Sequence, residues 1–251
     1  MHRAIYDSLL TARKDKQKKL ALLIDPDKFS TTGHVSNAES MGVDFIFIGG
    51  SLVSKGDFNR CVEVVKKNTN LPVVLFPGNV DQVSPLADGI LFLSLISGRN
   101  PENLIGKHVL AAPILKKTSL EIIPTGYMLV DGGKVTTATY MSNTVPIPHD
   151  KNDIASCTAM AGEMLGLKLI YMDTGSGADK HVSLSMIKEV RKNIDIPLII
   201  GGGIRNPEDT YEICKAGADM VVIGTIAEQS PEMVASIAKA VHYNTSGKIR
   251  L

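Results

Sequence analysis

Short apolar runs alternate along the chain with longer segments whose apolar positions recur every three or four residues. Eight runs read as strands: 20–24, 44–48, 72–76, 89–93, 121–130, 168–173, 197–201 and 219–223. Most are unbroken (LALLI, FIFI, VVLF, MVVI), the pattern of strands covered on both faces, as in a parallel sheet. Between them, Phe58, Cys61, Val62 and Val65 make one apolar stripe at helical spacing, and Val234, Ile237, Ala238 and Val241 make another. Three helix starts share one grammar: Asn100-Pro101-Glu102, Asn206-Pro207-Glu208 and Ser230-Pro231-Glu232 each offer a side-chain cap, a proline at the first helical position and an acid in the first turn. Gly42, Gly166 and Gly217 close helical patterns ahead of strands.

Eight strands joined by helical crossovers predict one α/β domain over residues 1–251, a (β/α)8 barrel of the TIM type. One crossover departs from the pattern. Residues 77–88 (PGNVDQVSPLAD) include two prolines and are too few for a covering helix, so the helix after strand three is expected to be truncated or missing. Residues 131–148, rich in Thr, Gly and Pro, read as a long loop after strand five, placed to act as a lid.

Composition narrows the function classes. The 251 residues suit a barrel, which commonly needs about 250. With 44% hydrophobic and 21% charged residues, the chain is not intrinsically disordered. A net charge of +1, no Trp and 5% aromatics argue against nucleic acid as a partner. No run approaches the roughly 18 apolar residues of a membrane span, and the charged N-terminal segment does not read as a signal peptide. Cys61, Cys157 and Cys214 are far apart and form no CxxC, so reduced core thiols in a cytoplasmic protein are expected. The KDKQKK run at 14–19 reads as a solvated helix end.

In such a barrel the chemistry gathers after the strands. Asp25 follows strand one and Ser51 follows strand two; together they could share a hard cation such as Mg2+, or serve as a turn cap and a loop residue. Asp27 reads as a turn or cap residue, and Lys28 as a solvated or phosphate-facing charge. Tyr171 and Asp173 are two apart on strand six and so point the same way, towards either a polyol ligand or a local turn. Gly175-Ser176-Gly177, Gly202-Gly203 and Gly224-Thr225 would let the backbone approach a phosphate after strands six, seven and eight. Arg205 is placed either to contact that phosphate or to pair at the rim. The histidines at 2, 34, 108, 149, 181 and 242 have no metal-ligand spacing, and no nucleophile elbow occurs.

The ordered motifs LLIDPDK (22–28), FIGGS (47–51), FPG (76–78), SLISGRNP (94–101), PTGYMLVDGG (124–133), YMDTGSGA (171–178), PLIIGGGIR (197–205) and ADMVVIGT (218–225) span nearly the whole chain. This set resembles the geranylgeranylglyceryl phosphate synthase family and its bacterial relatives. The last two motifs are common to phosphate-binding barrels; the first five with GSGA are more specific. The resemblance implies a Mg2+-dependent prenyltransferase joining sn-glycerol 1-phosphate to a polyprenyl diphosphate, geranylgeranyl diphosphate in the first instance, through an ether bond in lipid synthesis. It puts the metal on Asp25 and Ser51. It puts glycerol phosphate on Tyr171, Met172, Asp173, Thr174, Gly175, Ser176, Gly177, Gly202, Gly203, Gly224 and Thr225. It implies Asp173, with Tyr171, as the catalytic pair that orients the acceptor hydroxyl and takes its proton. Glu is usual in the family where this chain has Asp173. An apolar groove for the tail is expected beside the missing helix, near Leu93–Ile96 and Leu115, unless those apolar residues are plain core. A homo-oligomer (dimer or hexamer) and at most peripheral membrane contact are implied.

Three other functions fit parts of the same pattern. A longer heptaprenyl donor would use the same chemistry. A phosphosugar isomerase would use the same phosphate loops but needs paired acids and no diphosphate metal. A non-catalytic phosphate-binding barrel would bind glycerol phosphate without turnover.

Overall fold

The structure, a computed structural model, describes residues 4–29 and 33–246. His2 therefore lies outside the described residues, as does the side chain of His34. Helix α1 (Ala4–Lys14) precedes β1 (Lys19–Ile24). Then follow α2 (Gly33–Ser36), β2 (Phe45–Ile48), α3 (Phe58–Lys67), β3 (Val73–Leu75) and β4 (Gly89–Leu95). A π-helical turn, Glu102–Gly106, runs into α4 (Lys107–Leu115). After it come β5 (Glu121–Leu129), α5 (Thr137–Ser142), α6 (Asn152–Met164), β6 (Leu169–Asp173) and α7 (Leu184–Asn193). The chain continues through β7 (Leu198–Gly201), α8 (Pro207–Ala216), β8 (Met220–Ile223), α9 (Thr225–Gln229) and α10 (Met233–Ser246). The eight strands pair in parallel and in order, and β8 closes on β1.

The unbroken apolar runs are explained by two buried faces. Alternate residues, among them Ala21, Phe47, Val74, Leu91, Ile123, Tyr171 and Val222, fill the barrel interior. Their neighbours, such as Leu22, Ile48, Leu75, Ile90, Met172, Ile200 and Val221, pack under the helices. Each fully buried aliphatic side chain contributes about 1.5–3 kcal/mol. The stripes of α3 and α10 lie on this outer layer.

The N-terminal ends of the strands are sealed by acids. Asp44 accepts the Leu20 N–H at 2.8 Å, Asp88 the Val73 N–H at 2.7 Å, and Asp219 the Leu198 N–H at 2.9 Å. Each thus satisfies the amide of a neighbouring strand and also holds a cation: Lys19, Lys66 and Arg191 respectively. Glu121 accepts the Ile5 and Tyr6 N–H groups, both at 2.8 Å, and so caps α1, whose Ile5 and Leu9 plug the interior. The opposite end stays open.

As expected, no helix covers the crossover after β3. Several details differ from the sequence reading. The 131–148 stretch is not a plain loop: Thr136 caps α5, Asn143 ends it in the left-handed conformation, and Ile147 bridges to Val130. β-Branched Thr residues had hidden this helix. Asn206 caps α8 through the Asp209 N–H at 2.7 Å, but Ser230-Pro231-Glu232 forms a turn before α10, so Pro231 is not its first residue. Asn100 accepts the Glu102 N–H, and the helix opens in the wider π form. Cys61 and Cys214 are buried, with burial pushing both thiols up to about 12, whereas Cys157 is exposed on α6 rather than in the core. The 14–19 run is a turn more than a helix end: α1 stops at Lys14, Lys16 has φ +56°, and Lys18 and Lys19 pair with Asp219 and Asp44. Among the described residues, no helix is long and apolar enough to cross a membrane.

Candidate active site

At the open end, the loops after β1 and β2 are bolted together. The Asp27 carboxylate accepts the backbone N–H groups of Ser54, Lys55 and Gly56 at 2.7–3.0 Å, and the Ser54 hydroxyl. Four donors hold this carboxyl well below the usual range. Gln82, buried in the helix-free crossover, ties the next pair of loops. Its amide N–H donates to Gly50 O at 2.8 Å, and its oxygen accepts the Gly78 N–H at 3.1 Å. Asp25 and Ser51 are thereby fixed on one cavity wall. Asp25 Oδ1 also accepts the Asp27 N–H, the turn role its sequence suggested.

On β6, Tyr171 and Asp173 do face the same side, but they sit at different depths. Tyr171 is core: its ring stacks on Phe76 at 5.0 Å and meets Tyr127 edge-on at 5.5 Å. The phenol that donates to Asp173 belongs to Tyr127, which reaches Oδ2 at 2.6 Å. The Gly175 N–H donates to Oδ1 at 2.7 Å. Burial raises the Asp173 pKa, and these two hydrogen bonds offset it only in part. Burial, with the Asp173 charge, pushes both tyrosine hydroxyls well above their ordinary value, so Tyr127 remains a donor.

A cavity of about 320 Å3 lies over the ends of β6, β7 and β8, lined by Tyr171, Asp173, Ser176, Gly177, Gly202, Gly203, Gly224 and Thr225. The Ser176 and Thr225 hydroxyls meet at 3.2 Å and join two of its loops. Among the described residues, the Ser176, Gly177 and Gly203 N–H groups have no backbone acceptor, which leaves them free for an anion. Gly202 has φ +80°, and a Cβ there would lie 2.4 Å from Thr174 Oγ1. Three further residues of that expected set, Met172, Thr174 and Gly175, are not among those lining this cavity. The Met172 side chain packs in the outer layer because strand alternation turns it away. The Gly175 amide is taken by Asp173. Thr174 is buried, with no hydrogen-bond partner for its hydroxyl. Arg205 is at the rim, donating to Ala178 O at 2.8 Å and lying 4.0 Å from Asp179.

A larger cavity of about 730 Å3 shares Leu23, Asp173, Ser176, Gly177, Gly224, Thr225 and Gln229 with the first. It runs from Asp25 and Ser51 past Phe76 and Tyr127 to an apolar end with Val83, Ile90, Phe92, Leu93, Leu95, Ala111 and Leu115. Of the expected groove residues, Leu93, Leu95 and Leu115 line it; Ile96 packs against the outer core. Residues 76–83 of the helix-free crossover line it as well. Among the described residues, no three His, Cys, Asp or Glu side chains cluster to hold a metal. One carboxylate and one hydroxyl do fit a Mg2+ ion that keeps waters and takes phosphate oxygens from substrate.

Residues 13–241 match the PcrB family. The chain belongs to the PcrB family. Within it, a Chitinophaga pinensis protein named geranylgeranylglyceryl phosphate synthase is 51% identical over 96% of this chain and 97% of its own length. A Spirosoma linguale protein of the same name is 51% identical, covering 90% and 92%. The crystal structure of (S)-3-O-geranylgeranylglyceryl phosphate synthase from Thermoplasma acidophilum, in complex with sn-glycerol-1-phosphate, superposes with a TM-score of 0.90 at 34% identity, covering 96% of this chain and 99% of that one. The PcrB assignment agrees with the motif resemblance and with the TIM-type barrel seen here.

Sequence reasoning missed Tyr127 and Gln82. A lone polar aromatic inside the apolar run of β5 was a usable signal for Tyr127. Gln82 lay in a polar crossover and gave none.

Proposed function

We propose that this protein is a prenyltransferase that joins sn-glycerol 1-phosphate to geranylgeranyl diphosphate through an ether bond, with Mg2+ held by Asp25 and Ser51. One observation carries this reading. A smaller, glycine-lined cavity with free backbone amides and a longer, largely apolar cavity meet at Asp173. A phosphorylated polyol fits the first, a polyprenyl diphosphate fits the second, and the buried carboxylate stands where their reacting ends would come together.

The chain's own groups then have distinct tasks. The free amides of Ser176, Gly177 and Gly203 bind the phosphate and place the acceptor hydroxyl. Asp173 accepts the hydroxyl proton as the oxygen bonds to C1 of the prenyl unit; the C1–oxygen bond of the diphosphate breaks, and its electron pair leaves with pyrophosphate. Burial makes Asp173 a stronger base than a solvated carboxylate, and Tyr127 orients it. The rings of Phe76 and Tyr127 line the wall beside it and favour positive charge on the allylic carbon. Mg2+, when bound, supplies charge neutralisation for the departing diphosphate.

The test is a transfer assay with labelled sn-glycerol 1-phosphate, Mg2+ and C15, C20 or C35 diphosphates, with and without EDTA. The expected result is a lipid-soluble product that requires the metal and is formed fastest with C20. Binding of glycerol phosphate without turnover on any donor would refute the catalytic reading.

A further inference from the structure

The wall around Asp25 holds an ion pair that the chemistry above leaves without a role. Lys28 ends the turn closed by its own N–H on Asp25 O at 3.0 Å. Its Nζ lies 3.0 Å from Glu228 Oε2 on α9 and 3.6 Å from Asp25 Oδ2. Lys28, Asp25 and Glu228 all line the larger cavity, and Lys28 and Glu228 do not line the smaller one. Next to Lys28, Asp27 is pinned by three backbone amides, so the origin of the lysine stem is fixed while its head is half-exposed.

Charge balance asks for such a cation. Asp25, Asp81, Asp173 and Glu228 face the larger cavity against Lys28 and Lys107. Even with the proposed Mg2+ counted, the two lysines bring these four carboxylates only to neutrality, so a multiply charged diphosphate gains from a lysine that turns towards it. The pair is partly solvated, with side-chain exposures of 49% and 32%, so breaking it costs little. A lysine on a flexible stem suits a moving contact to phosphate oxygens.

We propose that Lys28 is a leaving-group residue. Its ammonium turns from Glu228 to the diphosphate oxygens when the donor binds, and Glu228 takes it back when pyrophosphate departs. This rests on the reading of the larger cavity as the diphosphate site. No bond is made or broken by Lys28; it donates hydrogen bonds throughout.

The experiment is calorimetric titration of the full-length protein with inorganic pyrophosphate in the presence of Mg2+, and separately with sn-glycerol 1-phosphate. Lys28→Met should weaken pyrophosphate on the order of tenfold, Lys28→Arg should retain most of the affinity, and Glu228→Gln should tighten it by about threefold. Glycerol phosphate affinity should stay within about twofold in all three. If Lys28 merely tacks α9 to the β1 turn, the Met and Gln variants lose the same tie and move pyrophosphate affinity in the same direction. That result, or an unchanged Lys28→Met, overturns the proposal. A wild-type protein that binds no pyrophosphate overturns the reading of the cavity itself, before any variant is compared.

Discussion

Tyr127 and Asp173 stand diagonally across the β5–β6 pair: Tyr127 is opposite Tyr171 in the register, and its hydroxyl reaches two residues further to Asp173 Oδ2 at 2.6 Å. The carboxylate is thus held from a neighbouring strand, while its other oxygen takes the Gly175 N–H of its own loop.

Tyr127→Phe removes the hydrogen bond that favours the charged form. The Asp173 pKa, already raised by burial, should rise further. The acid limb of the kcat profile should move to higher pH, and kcat at neutral pH should fall by about 10–100-fold. The affinity for sn-glycerol 1-phosphate should change little. A profile with an unmoved acid limb would show that Tyr127 only packs.

Asp173→Asn should separate activity from stability. Transfer activity should drop by about 10^2–10^4-fold, the usual contribution of a positioned base. The folded protein should become more stable at neutral pH. The native carboxyl has a raised pKa, so its favourable contribution is present below the ordinary aspartate range and is lost as pH climbs through the raised value. An amide carries no such loss, so the melting temperature at neutral pH should lie above that of the wild type. The gain should vanish in acid below that range, which melting curves across pH would check.

Gly202→Ala puts a methyl where φ is +80° and where Thr174 Oγ1 and Asp173 Oδ1 lie 2.4 and 2.6 Å away. Destabilisation of about 1–3 kcal/mol is expected. The phosphate cavity should lose sn-glycerol 1-phosphate by more than about tenfold, read by calorimetry.

Ala111→Phe fills the apolar end of the larger cavity, which Ala111 lines from α4. On the proposed function, the ratio of kcat/KM for C15 over C20 donors should rise by about tenfold or more. An unchanged ratio would place the tail elsewhere.

Much of the barrel was legible because two buried faces leave unbroken apolar runs, and because two prolines in 77–88 left no room for a helix. The convergence of Asp25 with Ser51, and of Asp173 with the glycine loops, followed from strand ends alone. What stayed hidden depended on depth and partners. Spacing gave Tyr171 and Asp173 a shared direction but not that Tyr171 lies beneath, with Tyr127 taking its place. The same alternation turns Met172 outwards, which reading the motif as a block obscured. Gln82 works through backbone groups of Gly50 and Gly78, and such pairings leave no trace in composition.

The helix-free crossover after β3 has a consequence for the protein without its lipid. Phe92 of β4, on the face that elsewhere carries a full helical coat, is only half-buried and meets His108 of α4 edge-on, while Leu93 is half-buried towards the barrel interior; both line the larger cavity. On the proposed function, the substrate's own hydrocarbon completes that coat, so the enzyme borrows a structural layer from what it processes. Amide protons of β3 and β4 should then exchange faster than those of β6 and β7 in the empty protein and slow selectively when a long-chain donor is present.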